Sequence, residues 1–144
     1  MLILGIDPGK EGALAVLDAE THRVTTYDMP GTTRDLHNLI AGLPIIKIAV
    51  VEKPYYPPQN GPANAGKKGE AYGVLIGALE WRDIPFQEVR PQDWKKSLNI
   101  PTDKNAARQR ANQFFPDDAD QWPKVKHDGR AEAALIAWYG MKWK

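Results

Sequence analysis

No cysteine occurs among the 144 residues, which excludes disulfides, zinc–thiolate sites and thiol nucleophiles. No segment approaches the roughly 20 consecutive apolar residues of a membrane span, and no basic stretch leads into a long apolar run at the N-terminus. A cytoplasmic protein without a membrane partner is therefore expected. Excess charge of one sign is also lacking. The formal net charge is +1, so the overall balance does not advertise a nucleic-acid partner. Neither a serine triad nor a phosphate-binding loop is evident, and there is no internal repeat, low-complexity tract or linker. Residues 1–144 read as one domain, long enough to bury a core.

Asp7 stands out among what is present. In MLILGIDPGKEG an apolar run, Leu2 to Leu4 and Ile6, suits a buried strand, and an acid closes it between Gly5 and Pro8–Gly9. Strand interiors disfavour Asp, and an unpaired buried carboxylate costs several kcal/mol, so such a group usually has a partner. A divalent cation is one candidate. Asp-Pro-Gly also makes a good turn, so Asp7 alone leaves both readings open.

The patterning predicts strands over residues 2–6, 13–17 and 23–28, tightly connected as an antiparallel meander. Thr32 or Thr33 can cap a helix running through Leu43, with Leu36, Leu39, Ile40 and Leu43 at helical spacing. A buried strand is expected over 45–52, closed by Glu52. Residues 55–68, rich in Pro, Gly, Asn and Tyr, read as an exposed loop before a helix over 69–82 whose small residues would permit close helix packing. A fifth strand over 85–89 and helices over 92–98, 102–115 (capped by Thr102) and 128–142 complete the order, with 121–126 as loop. The result is an α/β domain, a mixed five-stranded sheet with helices on both faces.

Two predicted strands thus end in carboxylates, Asp7 and Glu52, and the last helix, in HDGRAEAALIA, adds Asp128 and Glu132. Four residues apart, these two share one helical face. Asp128 alone would serve as a helix cap, whereas Glu132 sits among alanines and Leu135 with little reason to be there unless it faces a cation. Such converging oxygens suit Mg²⁺ or Mn²⁺. Two ions could activate water and stabilise the leaving oxygen of a phosphodiester. His127 is either a proton acceptor or ligand beside this cluster, or a surface histidine at the helix start. Charge is also uneven: residues 90–110 hold six basic and two acidic residues, a net of +4, leaving −3 for the rest of the chain. That segment is a solvated helix face or a contact for phosphates.

Together these motifs resemble the RuvC-type Holliday-junction resolvases of the ribonuclease H-like superfamily, particularly short phage-encoded members. GIDPG (5–9) resembles the first-strand motif and VEKP (51–54) the motif of the second carboxylate. KKGEAYGVLIGAL resembles the family's dimer-packing helix, and HDGRAEAALIA its final catalytic helix. The resemblance implies a ribonuclease H-like fold with three antiparallel strands followed by parallel ones. It implies catalytic metal ligands at Asp7, Glu52, Asp128 and Glu132, and two Mg²⁺ ions that Mn²⁺ can replace. Cleavage of four-way DNA junctions by a homodimer in a bacterial or phage-infected cell follows from it, leaving 5′-phosphate and 3′-hydroxyl ends. DNA contacts are expected at Tyr55, Tyr56, Lys67, Lys68, Lys95, Lys96 and Lys104; the tyrosines stack on an unpaired base or pack on their neighbouring prolines. Bacterial members commonly space the two helix ligands three apart, not four, so Asp128, His127 or both are candidates for the outer position. Two rival readings remain: a nuclease acting on RNA–DNA hybrids or branched DNA generally, and a junction-binding protein without turnover. Two nucleotide-clamping lobes, as in actin-like ATPases, do not fit in 144 residues.

Overall fold

A computed structural model describes residues 1–103 and 105–144. Strands β1 (Leu2–Asp7), β2 (Ala13–Asp18), β3 (Val24–Asp28), β4 (Ile48–Glu52) and β5 (Phe86–Val89) form one sheet in the order β3-β2-β1-β4-β5. The β1–β2 and β2–β3 pairs are antiparallel, and β1–β4 and β4–β5 are parallel. β1 lies at the centre with both faces covered, which is why its sequence is an apolar run and not an alternation. Alternate side chains still divide between two cores. Ile3, Ala13, Ala15, Leu17 and Val50 pack beneath helices α3 (Pro91–Ser97), α4 (Ala106–Phe114) and α5 (Asp128–Tyr139). Leu4, Ile6, Leu14, Val16, Ala49 and Val51 pack beneath α1 (Thr33–Ala41) and α2 (Gly61–Trp81).

Helix α5 is fully buried from Ala133 to Ala137, and its alanines let it lie close on β1. Gly5 makes that approach possible: a Cβ there would collide with the Ala133 carbonyl and the Ala137 amide. Gly129 plays the same part at the start of α5, against the Glu11 carbonyl. The edge strand β3 is covered from outside. Thr26 N–H donates to Gln121 Oε1 at 2.7 Å, Gln121 Nε2 donates to the Val24 carbonyl at 2.8 Å, and Val24 N–H donates to Asp118. Pairing with side chains occupies an edge that would otherwise recruit another strand.

Thr32 is the cap of α1, accepting from the Asp35 N–H at 3.1 Å. Four expected boundaries move by three residues or more. β4 begins at Ile48, not residue 45, and Ile45 is exposed. α2 begins at Gly61, so Lys67 and Lys68 lie on a helix and not in a loop. Pro62 suits a first helical turn, where no N–H is needed, and Ala63 and Ala65 are good helix formers. α4 begins at Ala106, and Asp103, not Thr102, accepts the preceding Asn105 N–H. α5 gives way at Gly140 to a short 3₁₀ turn, and residues 119–121 and 125–127 are also 3₁₀ turns within or beside the expected loop.

Candidate metal centre

The parallel register pairs Ile6 with Val51, which sets the next residues, Asp7 and Glu52, side by side at the carboxyl ends of adjacent strands. Alternation turns both toward α5, because Ile6 and Val51 point to the opposite core. Glu132, in the second turn of α5, comes down onto them. One carboxylate oxygen from each of Asp7, Glu52 and Glu132 lies within 4.8 Å of the others.

Crowding three acids in a part-buried site makes ionisation costly. Burial, then the neighbouring Glu132 and Glu52 charges, push the Asp7 carboxyl up from its usual 3.8 to about 8. Burial also raises Glu132, with Lys95 opposing. Glu52 is raised by burial too, opposed by the indole of Trp94. That fully buried ring donates Nε1–H to Glu52 Oε2 at 2.7 Å. The contact occupies one Glu52 oxygen and orients the other, as outer partners do for metal ligands. Lys95 Nζ stands 3.6 Å from Glu132 Oε1. Three hard oxygen donors against one ammonium leave a deficit of positive charge that Mg²⁺ or Mn²⁺ fits.

The other expected site residues fall elsewhere. Asp128 does not join the triad: its Oδ1 lies 3.0 Å from Nε of Arg108, on α4. The first turn of α5 faces α4, and this ion pair carries no hydrogen bond between its two atoms, while the Asp128 charge still helps to raise Glu132. Arg108 also donates to Asn105 Oδ1 at 2.8 Å and to the Pro123 carbonyl at 3.3 Å. His127 accepts the Lys124 N–H on Nδ1 at 3.2 Å and lines a separate polar cavity with Lys10, Asp28, Lys126 and Arg130. Tyr55 and Tyr56 are exposed just beyond β4, and Lys67, Lys68 and Lys96 are exposed on α2 and α3. Lys95 is drawn in toward Glu132, and Lys104 lies outside the described residues. Trp94 and Arg108 were missed by sequence reasoning. The only available signal for Trp94 was a bulky apolar residue in a short helix following the strand next to β4.

A groove of about 630 Å³ opens between α1, α2 and the loops after β1, β3 and β4, and Glu52 is the one member of the triad among its lining residues. Among the described residues no helix is long and apolar enough to cross a membrane.

Three antiparallel strands continued by two parallel ones, with helices on both faces and acids at the ends of the first and fourth strands, constitute the ribonuclease H-like fold in the form RuvC and other Holliday-junction resolvases share. Thermus thermophilus RuvC, solved in complex with a Holliday junction substrate, is 16% identical; the match covers 99% of this chain and 96% of that one with a TM-score of 0.69. The yeast mitochondrial Holliday junction resolvase Ydc2 is 18% identical over 98% of this chain and 78% of its own, with a TM-score of 0.55. The fowlpox virus Holliday junction resolvase is 13% identical over 99% of both chains, with a TM-score of 0.61. No protein-family model and no curated protein sequence matches this chain.

Proposed function

We propose that this protein is a metal-dependent endonuclease that resolves four-way DNA junctions, the whole chain serving as one nuclease domain. The convergence of Asp7, Glu52 and Glu132 on a fold shared with solved resolvases carries the reading. Asp7, Glu52 and Glu132 would hold the two Mg²⁺ ions of the proposal, with Mn²⁺ able to substitute. Asp128, the expected fourth ligand, stands outside these three and is paired with Arg108 in the metal-free chain. The metal supplies Lewis-acid activation of water and of the scissile phosphate. Hydrolysis adds water to phosphorus and breaks the bond to the 3′ oxygen, leaving a 5′-phosphate and a 3′-hydroxyl.

The remaining residues bind and orient the strand. Trp94 fixes Glu52, and Lys95 meets phosphate arriving at the triad. Lys67, Lys68 and Lys96 contact the backbone and make affinity salt-dependent. Tyr55, with Tyr56 behind it, stacks on a base exposed at the junction centre. This exposed aromatic pair favours branched DNA over an RNA–DNA hybrid, because a continuous duplex offers no unstacked base. A junction binder without turnover is disfavoured: three part-buried acids facing phosphate weaken binding unless a cation joins them.

Symmetric cutting needs two active sites, and α2 offers a face for a second copy. Gly69, Gly73 and Gly77 lie along one exposed stripe with open space at each Cβ position, ending near Trp81, which is 63% exposed. A homodimer formed there, acting in the cytoplasm of a bacterial or phage-infected cell, completes the proposal. Parallel incubation of a junction, a flap, an RNA–DNA hybrid and a linear duplex with Mg²⁺ or Mn²⁺ tests it. Preferential junction nicking is expected; equal cutting of the hybrid, or no cutting of any substrate, overturns it.

A further inference from the structure

Asp128 and Glu132 belong to one helical face, about 6 Å apart along the axis of α5. Their partners differ. Glu132 joins Asp7 and Glu52, whereas Asp128 Oδ1 lies 3.0 Å from Arg108 Nε. This contact is close without being aligned. Both atoms are buried, and neither has a hydrogen-bond partner among the described residues. A buried charge pair that lacks its hydrogen bond forgoes part of the gain that offsets desolvation, so Asp128 is held there and not locked. Arg108 is fixed by its other nitrogens: Nη2 donates to Asn105 Oδ1 at 2.8 Å and Nη1 to the Pro123 carbonyl at 3.3 Å. The guanidinium therefore keeps its place if Asp128 turns away. The Asp128 side chain has room to turn, because a third of it is exposed. Its backbone has none, since Gly129 lies against the Glu11 carbonyl, where a Cβ would collide. The Asp128 charge already reaches the triad, contributing to the upward shift of Glu132.

We propose that Arg108 is a positioning residue that holds Asp128 out of the metal centre, and that Asp128 exchanges this guanidinium for the second divalent cation. The inference rests on the metal centre of the nuclease reading above and concerns how that centre is loaded. A first ion needs only Asp7, Glu52 and Glu132, which already converge. A second must draw Asp128 off Arg108 by rotation of its side chain, so its apparent affinity falls with the fraction of time that Asp128 is free. An aspartate free about one-tenth of the time weakens that affinity about tenfold. A merely structural pair between α4 and α5 would set stability and leave metal affinity alone.

The probe is Mn²⁺ alone, titrated into the full chain without DNA at one fixed pH. Bound ions are counted by electron paramagnetic resonance, and affinities come from calorimetry. Wild type is expected to take up one tight and one weak ion. Arg108→Gln, which keeps a donor but not the charge, should bind the second ion about tenfold more tightly. Arg108→Lys, which keeps the charge, should stay near wild type. Asp128→Asn should lose the weak ion and keep the tight one. Adding Arg108→Gln to Asp128→Asn should recover nothing, whereas a long-range field effect of the guanidinium would act in that background too. Equal second-ion affinity in wild type and Arg108→Gln, or recovery of the second ion in the double variant, overturns the proposal. Should circular dichroism show that Arg108→Gln does not fold, the Arg108 Nε–H resonance of wild type decides, followed by NMR through a Mg²⁺ titration. Movement with the second ion supports the exchange, and a resonance unmoved at saturation refutes it. Junction cleavage is scored separately. Metal coupling through Arg108 without cleavage of any substrate overturns the nuclease reading and leaves the role of Arg108 standing; cleavage without that coupling does the reverse.

Discussion

Replacing Asp7 by Asn should change how the stability of the metal-free protein depends on pH. Asp7 titrates near 8 in the folded chain and near 3.8 once unfolded, because burial and the Glu132 and Glu52 charges oppose its ionisation. Between those values the native state keeps a proton that the unfolded state has lost. Its stabilising effect is complete below about pH 4 and is lost as pH rises through about 8. The slope from this group reaches about 1.4 kcal/mol per pH unit, which for a chain of this size lowers the melting temperature by roughly 3–5 °C per unit. Asn carries no such proton and adds no charge to repel Glu52 and Glu132. Thermal unfolding of both proteins between pH 5 and 8.5, in chelator, should show wild type losing stability with pH much more steeply than Asp7→Asn. Saturating Mn²⁺ should then remove most of the wild-type slope, because an ion takes the proton's place, and add about 3 kcal/mol at 100 times its dissociation constant. Parallel pH profiles for the two metal-free proteins would refute the electrostatic picture of this site.

Three further outcomes test other parts of the molecule. Trp94→Phe keeps the buried ring but removes the donor to Glu52, so Mn²⁺ affinity measured by calorimetry should fall about ten- to a hundredfold while the fold persists; unchanged affinity would assign Trp94 to packing alone. Gly5→Ala drives a methyl into the backbone of α5 and should destabilise the protein by about 2–3 kcal/mol in urea unfolding. The double change Lys67→Gln and Lys68→Gln should weaken junction binding and reduce the slope of log affinity against log salt by about 2.

The carboxylates at the strand ends were legible because two apolar runs stop at an acid, and a parallel pair of such strands brings Asp7 and Glu52 together by register alone. Glu132 was legible as a charge in an alanine-rich helix. Asp128 was not. Four-residue spacing puts it on the same helical face, but which neighbour claims it depends on how α4 packs on α5, and Arg108 comes from twenty residues earlier. Trp94 escaped for the same reason, since its bond to Glu52 spans 42 residues. Gly61 and Pro62 read as breakers although they open a helix, so the sequence predicts a helix only from residue 69 and a loop at Lys67 and Lys68. The sheet order follows from short connections and strand patterning. The groove does not, because it exists only where α1, α2 and three loops meet.

The most direct measurement is cleavage of a synthetic four-way junction by wild type and Asp7→Asn in Mg²⁺, with junction binding followed by fluorescence anisotropy in the same buffer. Wild type should introduce paired nicks carrying 5′-phosphates, and Asp7→Asn should bind the junction with similar affinity and cut nothing. Cleavage by Asp7→Asn at the wild-type rate would contradict the assignment of the triad as the metal site.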